Sequence, residues 1–286
     1  MPNHITNVLV ISSDDEQMLN RICDAVSSRT DTEYLIGFDF NKIIPMPKEL
    51  DLESGSPTDK AVSHALSYLH ESGDWAEYTD MKALVFNSKY YKFGDISTAA
   101  FLIVPVPSFK IDMDEVELGM KYLNNLKNYG AFSWYDWSQA NWGTKWNSYA
   151  FNEFEDKPIP KCALEVADKK KYSRVIRFQT AWDPPFPVYT KFRDMILDFI
   201  ESEQSNATAG FDVFYADEDF GSKIGYIHFE TNLIAHYSET KTYDDMSNTA
   251  IELAADIMNT TPEKEGYRID PETGKYVFDE KLFRSE

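Results

Sequence analysis

HITNVLVISS, His4 to Ser13, is the segment that leaves this chain the fewest options. It is rich in β-branched residues and runs directly into Ser-Asp-Asp-Glu, where Ser13 and Glu16 have the spacing of a capping box. From Asp14 to Ser28, Met18, Ile22 and Val26 recur at intervals of four with Leu19 and Cys23 beside them, one apolar stripe on a helix. YLIGFDFNKIIPMP, Tyr34 to Pro47, follows as an expected extended segment, stopped by prolines that cannot donate to a central ladder. The opening therefore reads β-α-β.

Further along, Ser56-Pro57 starts a helix whose apolar face is Ala61, Ala65, Tyr68 and Leu69, before Gly73. A weak helical signal continues through Phe93, and Asp95 to Asp114 reads as a linker crossing apolar surface. The next helix, about Asp114 to Tyr129, turns Val116, Met120, Leu123 and Leu126 inward and stops at Gly130. Arg174 to Trp182 is a predicted strand, Asp183 to Pro187 a rigid break, and Val188, Phe192, Met195, Ile196, Phe199 and Ile200 mark an amphipathic helix. Phe211 to Glu230 reads as two strands around a polar turn at Asp217 to Ser222. A last helix, Ser247 to Met258, precedes a charged tail held by Tyr267, Tyr276, Val277, Phe278 and Phe283. Alternating helices and strands with a closing hairpin define an α+β class: a mixed or antiparallel, ferredoxin-like sheet with helices packed on it. The expected organisation is one domain over 1–239 with a mainly helical insertion at about 50–130, then a C-terminal helix and acidic tail over 240–286.

Charge excludes more than it selects. The chain carries 28 Lys+Arg against 48 Asp+Glu, a formal net charge of −20. Such a surface repels phosphate backbones and argues against a general nucleic-acid binder. Only residues 157–200 are locally basic, with KKKYSRVIR, Lys169 to Arg177, as a candidate phosphate contact. The start shows no basic stretch followed by an apolar run. The longest apolar run, Ala99 to Pro107, is half a bilayer span and holds two prolines. The expectation is a cytoplasmic protein with no membrane segment. Cys23 and Cys162 are far apart and form no C-x-x-C pair, which fits a reducing compartment and excludes a cysteine zinc cage.

Five local motifs then stand out in order: MPNHITN, FDFNKIIPMPKEL, WYDWSQANWGTKWNSY, FQTAWDPPFPV and YADEDFGSKIG. Together they resemble the YubB-like ferredoxin-like domain family, pieces of which are matched from Met1 to about Gly225. The resemblance implies a ferredoxin-like fold and a setting on bacterial plasmids, phages and other mobile elements. It transfers no active site. Leu50 to Asn128 and the tail after Glu239 match nothing in that pattern.

The candidate site residues are Trp134, Trp137, Asn141, Trp142, Lys145, Trp146 and Trp182, together with an acidic turn at Asp217, Glu218 and Asp219. Helical spacing makes Trp134, Trp137 and Asn141 neighbours. Two readings of the tryptophan-rich stretch stand. In one, Gly143 ends the helix, Thr144 turns the chain, and the indoles pack against Thr180 to Pro187 as a corner of the core. In the other, indoles beside Asn, Thr and Lys145 form a ligand platform or interface hot spot. The acidic turn fails as a calcium loop, since Ser222 and His228 stand where glycine and glutamate are required, and reads as a solvated hairpin turn. Neither His64 with His70 nor His228 with His236 has zinc spacing, and His4 reads as a hydrogen-bonding residue rather than a catalytic one. No nucleophile, base and orienter set is legible, so no catalytic residue, metal or cofactor is expected. The expected activity is binding of a host protein with a basic surface, an acidic inhibitor that imitates nucleic acid. The alternatives are nucleic-acid or small-ligand binding through the tryptophan motif, and an enzyme of unrecognised type.

Overall fold

The computed structural model of this chain describes residues 3–29, 35–72 and 110–283. In chain order the helices are α1 (Glu16–Val26), α2 (Phe40–Ile43), α3 (Ser56–Ser72), α4 (Met113–Tyr129), α5 (Trp134–Asn141), α6 (Lys161–Ala167), α7 (Phe186–Ser202), α8 (Asn248–Met258) and α9 (Glu280–Phe283). The strands are β1 (His4–Ser13), β2 (Ser28–Arg29), β3 (Leu35–Ile36), β4 (Tyr172–Ala181), β5 (Ala209–Asp217), β6 (Gly225–Thr231), β7 (His236–Thr242), β8 (Tyr267–Ile269) and β9 (Tyr276–Phe278). They build two compact units, one from Met1–Pro45 with Asn141–Glu286, the other from Met46–Ala140.

The first unit is organised by a five-stranded sheet of order β4-β1-β5-β6-β7. Every neighbouring pair is antiparallel, so the sheet is antiparallel rather than mixed. β4 and β5 run the same way on either side of β1, and α7 joins them, making one split β-α-β. Because a strand's side chains alternate, β1 serves two cores. Val8 and Val10 join Phe214 and Ala216 beneath α6 and α8, where Ala163, Ala250, Ile251, Ala254 and Ile257 close the layer. On the opposite face, Phe38, Phe40, Phe178, Phe192 and Phe211 form a chain of ring contacts at 5.0–6.1 Å between centroids. Helices on both faces explain why β1 shows no apolar–polar alternation. β6, near the sheet's far side, does alternate, and β7 beyond it is almost wholly exposed.

Several elements differ from expectation. Tyr34 to Pro47 is not extended throughout, because Asp39 captures the backbone. Its carboxyl accepts from Asn41 N (2.9 Å), Ser28 Oγ (2.6 Å) and Asn147 Nδ2 (2.7 Å), starting the short α2. The stretch after residue 240 belongs to the first compact unit. Ser247 caps α8, whose alanine-rich face packs on β1 and β5, and Tyr267 of the β8–β9 hairpin enters the same core. The polar β7 carries no apolar signal in its sequence.

The second unit is the inserted region. α3 and α4 pack through Ala61, Ala65, Leu69, Tyr122, Leu123 and Leu126, with Phe132 beside them. Gly119 sets how closely they approach, since a Cβ there would lie 2.1 Å from Ala61 O. Gly130, in the left-handed region, ends α4 as expected. His64 accepts the Asp112 N–H at 3.1 Å, a helix-entry contact. The helical signal through Phe93 and most of the Asp95 to Asp114 linker lie outside the described residues.

Candidate functional site

Four segments distant in sequence meet where β1 and β6 begin and β4 and β5 end. The register places His4 opposite Ala181 and Ile5 opposite Asp217. Asn3 ties them together: its carbonyl accepts from Trp182 N (2.8 Å) and its amide donates to Asp217 Oδ1 (3.2 Å). Glu218 N donates to His4 O at 2.9 Å. Lys223, from the turn after β5, donates to Trp182 O (2.7 Å) and to Asp183 Oδ1 (2.8 Å).

Residues 142–149 of the tryptophan-rich stretch pack against this end and divide by role. Trp142 is buried, donating Nε1–H to Ile44 O at 2.9 Å. Gly143 has φ 76°, and a Cβ there would meet Pro187 Cδ at 2.7 Å, so the turn needs glycine both for its dihedral and for the proline against it. Thr144 Oγ1 donates to Ala181 O (2.7 Å) and accepts from Ala181 N (3.0 Å), and Tyr149 exchanges backbone bonds with Gln179. Asn147 Oδ1 accepts from Phe40 N, and Ser148 Oγ donates to Phe38 O. These residues hold a corner of the core together.

Lys145 and Trp146 face outward. The Lys145 ammonium lies 4.5 Å from the Trp146 ring centroid and 5.2 Å from that of Trp182, one cation shared by two indoles. Trp146 meets the Tyr149 ring edge-on, and Tyr149 Oη lies 2.6 Å from His4 Nδ1. Burial, then Glu218 and Glu153, push the Tyr149 hydroxyl well above its ordinary range. Phe186 is 41% exposed beside Tyr215. Trp182 is held at φ 78°, a conformation bulky residues avoid and which costs about 1–3 kcal/mol. The carboxyls of Glu153 and Glu218 act on Tyr149, and that of Asp183 holds Lys223 beside Trp182, so the patch is aromatic at its centre and acidic at its rim.

Other predicted site residues fall elsewhere. Trp134 and Trp137 belong to the Met46–Ala140 unit, where Trp137 is buried and Trp134 half-buried. Asn141 closes α5, half-buried. The spacing of all three on one helix is as expected, but only Trp142, Lys145, Trp146 and Trp182 share the sheet end. Asp217 is not solvated as the acidic-turn reading required. It is 1% exposed and accepts the Asp219 N–H at 2.9 Å, while Glu218 and Asp219 face solvent. Its burial raises its pKa above the ordinary carboxyl value against the pull of those donors and of Lys223. The basic run is largely engaged within the fold. Lys170 pairs with Glu230, Lys171 donates to Asp14 O, and Arg177 is buried over the Phe154 ring with its guanidinium on Pro158 O and Asn259 Oδ1. Burial pushes both the Cys23 and Cys162 thiols up, away from reactivity.

One constellation escaped the sequence. Asp212, 2% exposed, lies opposite His228, and His228 lies opposite Glu239, in a row across β5, β6 and β7. Asp212 Oδ1 is 2.8 Å from His228 Nδ1 and accepts from Tyr226 Oη at 2.6 Å, while Oδ2 is buried without a partner among the described residues. Burial and this bond push the Tyr226 hydroxyl far up. Rejecting a zinc spacing between His228 and His236 does not reveal it; the strand register is the usable signal. Among the described residues no group of three or more His, Cys, Asp or Glu could hold a metal, and no helix is long and apolar enough to cross a membrane. No family model, curated protein or solved structure matches the chain.

Proposed function

We propose that this chain is a non-enzymatic binding protein whose sheet end, centred on Trp146, Tyr149 and Trp182, docks a partner protein with a basic surface. The observation that carries the reading is a half-exposed aromatic cluster rimmed by Glu153, Asp183 and Glu218. Indoles and carboxyls together suit arginine, whose guanidinium stacks on a ring while pairing with an acid. Trp146 resembles an interface anchor, a large rigid group that desolvates at modest entropic cost. The strained Trp182 supports the reading as well, because such conformations persist where a side chain must be aimed.

The net charge of −20 adds long-range attraction toward basic surfaces that ordinarily hold nucleic acid. Occupation of such a surface is the proposed mode of action, an inhibitor that imitates nucleic acid. The motif resemblance to the YubB-like family supports a phage or plasmid setting. The split β-α-β of β4, α7 and β5 around β1 supports the ferredoxin-like kinship.

The test is fluorescence anisotropy with a labelled arginine-rich peptide at about 50 and about 300 mM salt. Binding should weaken as salt rises, and Trp146→Ala and Glu218→Lys should each weaken it at least about tenfold, a loss near 1.4 kcal/mol. Absence of salt-sensitive binding, or indifference to both substitutions, overturns the proposal. Preference for a labelled single-stranded oligonucleotide over the peptide overturns it in favour of base stacking on the same rings.

A further inference from the structure

A cavity of about 940 Å³ lies elsewhere and has a different character. It is lined by Arg174, Val175, Ile176 and Arg177, four consecutive residues of β4. Consecutive strand side chains point to opposite faces, so a cavity touching all four runs along the strand's edge. β4 is the terminal strand of the sheet, and among the described residues no strand pairs with its outer edge, which is bridged only by Tyr149 at Gln179.

The direction of the backbone groups can be read from what already occupies part of the edge. Gln179 N–H donates to Tyr149 O (2.9 Å) and Tyr149 N–H donates to Gln179 O (3.2 Å), while Ala181 exchanges bonds with the Thr144 hydroxyl. Gln179 and Ala181 thus face outward. By the alternation of an antiparallel ladder, Arg177, Val175 and Ser173 face outward too. Tyr149 makes a single antiparallel bridge to Gln179, and among the described residues no outer pairing extends from it toward Ser173.

The groove beside those open groups has Phe151, Phe154 and Ile159 in its lining, and its charge is the reverse of the molecule's. Lys157, Arg174 and Arg177 line it against Asp24 and Glu155, in a chain of net charge −20. Arg177 is 7% exposed, and its Nε is buried without a hydrogen-bond partner among the described residues. We infer that the β4 edge accepts an extended segment of a partner protein, alternating apolar and acidic residues, which adds a strand to the sheet. Its main chain pairs with Ser173, Val175 and Arg177, its apolar side chains enter between Phe151 and Phe154, and its carboxyls face Lys157 and Arg174. This surface is separate from the aromatic sheet end and of opposite charge, so it goes beyond the docking proposed there.

The probe is a fluorescein-labelled heptapeptide alternating valine and glutamate, titrated into the full chain by anisotropy. It should bind at least about tenfold more tightly than its valine–lysine counterpart. N-methylation of one alternate set of its amides should abolish binding while methylation of the other set leaves it intact, because only one edge of an added strand is paired. Arg174→Glu, at an exposed position, should weaken binding at least about tenfold, and Val175→Pro should abolish it by removing an outward N–H that β1 does not use. Melting curves and the backbone amide spectrum report that both variants are folded, and shifted amides should cluster at 173–177. Trp146→Ala should leave this binding unchanged, which separates its failure from failure of the sheet-end reading. Equal affinity for the acidic and basic peptides, tolerance of both methylated sets, or stronger binding of a single-stranded oligonucleotide would overturn the inference.

Discussion

Trp142 and Trp146 stand four residues apart and meet opposite fates, which makes them a controlled pair. Trp142 is 3% exposed and its indole N–H has a carbonyl partner, so Trp142→Ala leaves a cavity and an unpaired Ile44 O. The expected cost is about 3–5 kcal/mol in chemical denaturation. Trp146 is 36% exposed and closes no core, so Trp146→Ala should cost less than about 1 kcal/mol while reducing binding. If both alanine variants lose similar stability, the surface assignment of Trp146 fails. Asp217 gives a pH signature. Its folded pKa is raised above its unfolded one, so this carboxyl's contribution is fully present below the unfolded value and is lost as pH rises through the folded value. Asp217→Asn keeps an oxygen for the Asp219 N–H and carries no charge. Its melting temperature should therefore exceed wild type at neutral pH, with the gap closing on acidification below about pH 4. A gap that widens on acidification would show the carboxylate to be stabilising. Tyr226→Phe removes one of the two donors from Asp212 and should destabilise by about 1–3 kcal/mol, read by urea titration.

At the scale of elements, the close approach of α3 and α4 rests on a residue chosen for its absence of side chain. Gly119→Ala improves helix propensity by about 1 kcal/mol yet forces a methyl onto Ala61 O and Ala65 Cβ, where overpacking costs about 1–3 kcal/mol. A net loss is expected, confined to amides of 46–72 and 110–140 in hydrogen exchange. Net stabilisation would mean that the helices separate freely. The elements that sequence made legible share strong local signals. α1, α4, α7 and α8 have long apolar stripes with caps or stops, and β1, β4, β5 and β6 have β-branched or aromatic runs between turn residues. The misread ones lack such signals or are governed at a distance. Asp39 starts α2 with help from Asn147, 108 positions away, and β7 is a polar edge defined only by its neighbour. The site divides in the same way. Trp142, Lys145, Trp146 and Trp182 were visible by residue type, whereas Asp212 with His228 and the open β4 edge exist only through register. Asp217 was placed in the right turn but on the wrong side of its surface, because the pull of Asn3, 214 positions away, is not local information.

For the molecule as a whole, charge sets long-range behaviour and local chemistry sets where contact is made. Both lysines of the sheet end are already held, Lys145 between indoles and Lys223 on Asp183 and the Trp182 carbonyl, so an incoming basic partner meets mainly carboxyls. A surplus of twenty negative charges also means self-repulsion, which salt screens. These effects oppose one another. Raising salt from about 50 to about 300 mM shortens the screening length from roughly 14 to 6 Å, so fold stability should rise or hold while association with a basic partner falls. Measuring both quantities over one salt series separates them: thermal midpoint by circular dichroism, and association rate by stopped-flow with the arginine-rich peptide. Electrostatic steering requires the association rate to carry most of the salt dependence, with the dissociation rate nearly constant. The opposite partition, a constant association rate and a salt-sensitive dissociation rate, would place the recognition energy in a few short-range pairs at the sheet end and leave the acidic exterior a matter of solubility alone.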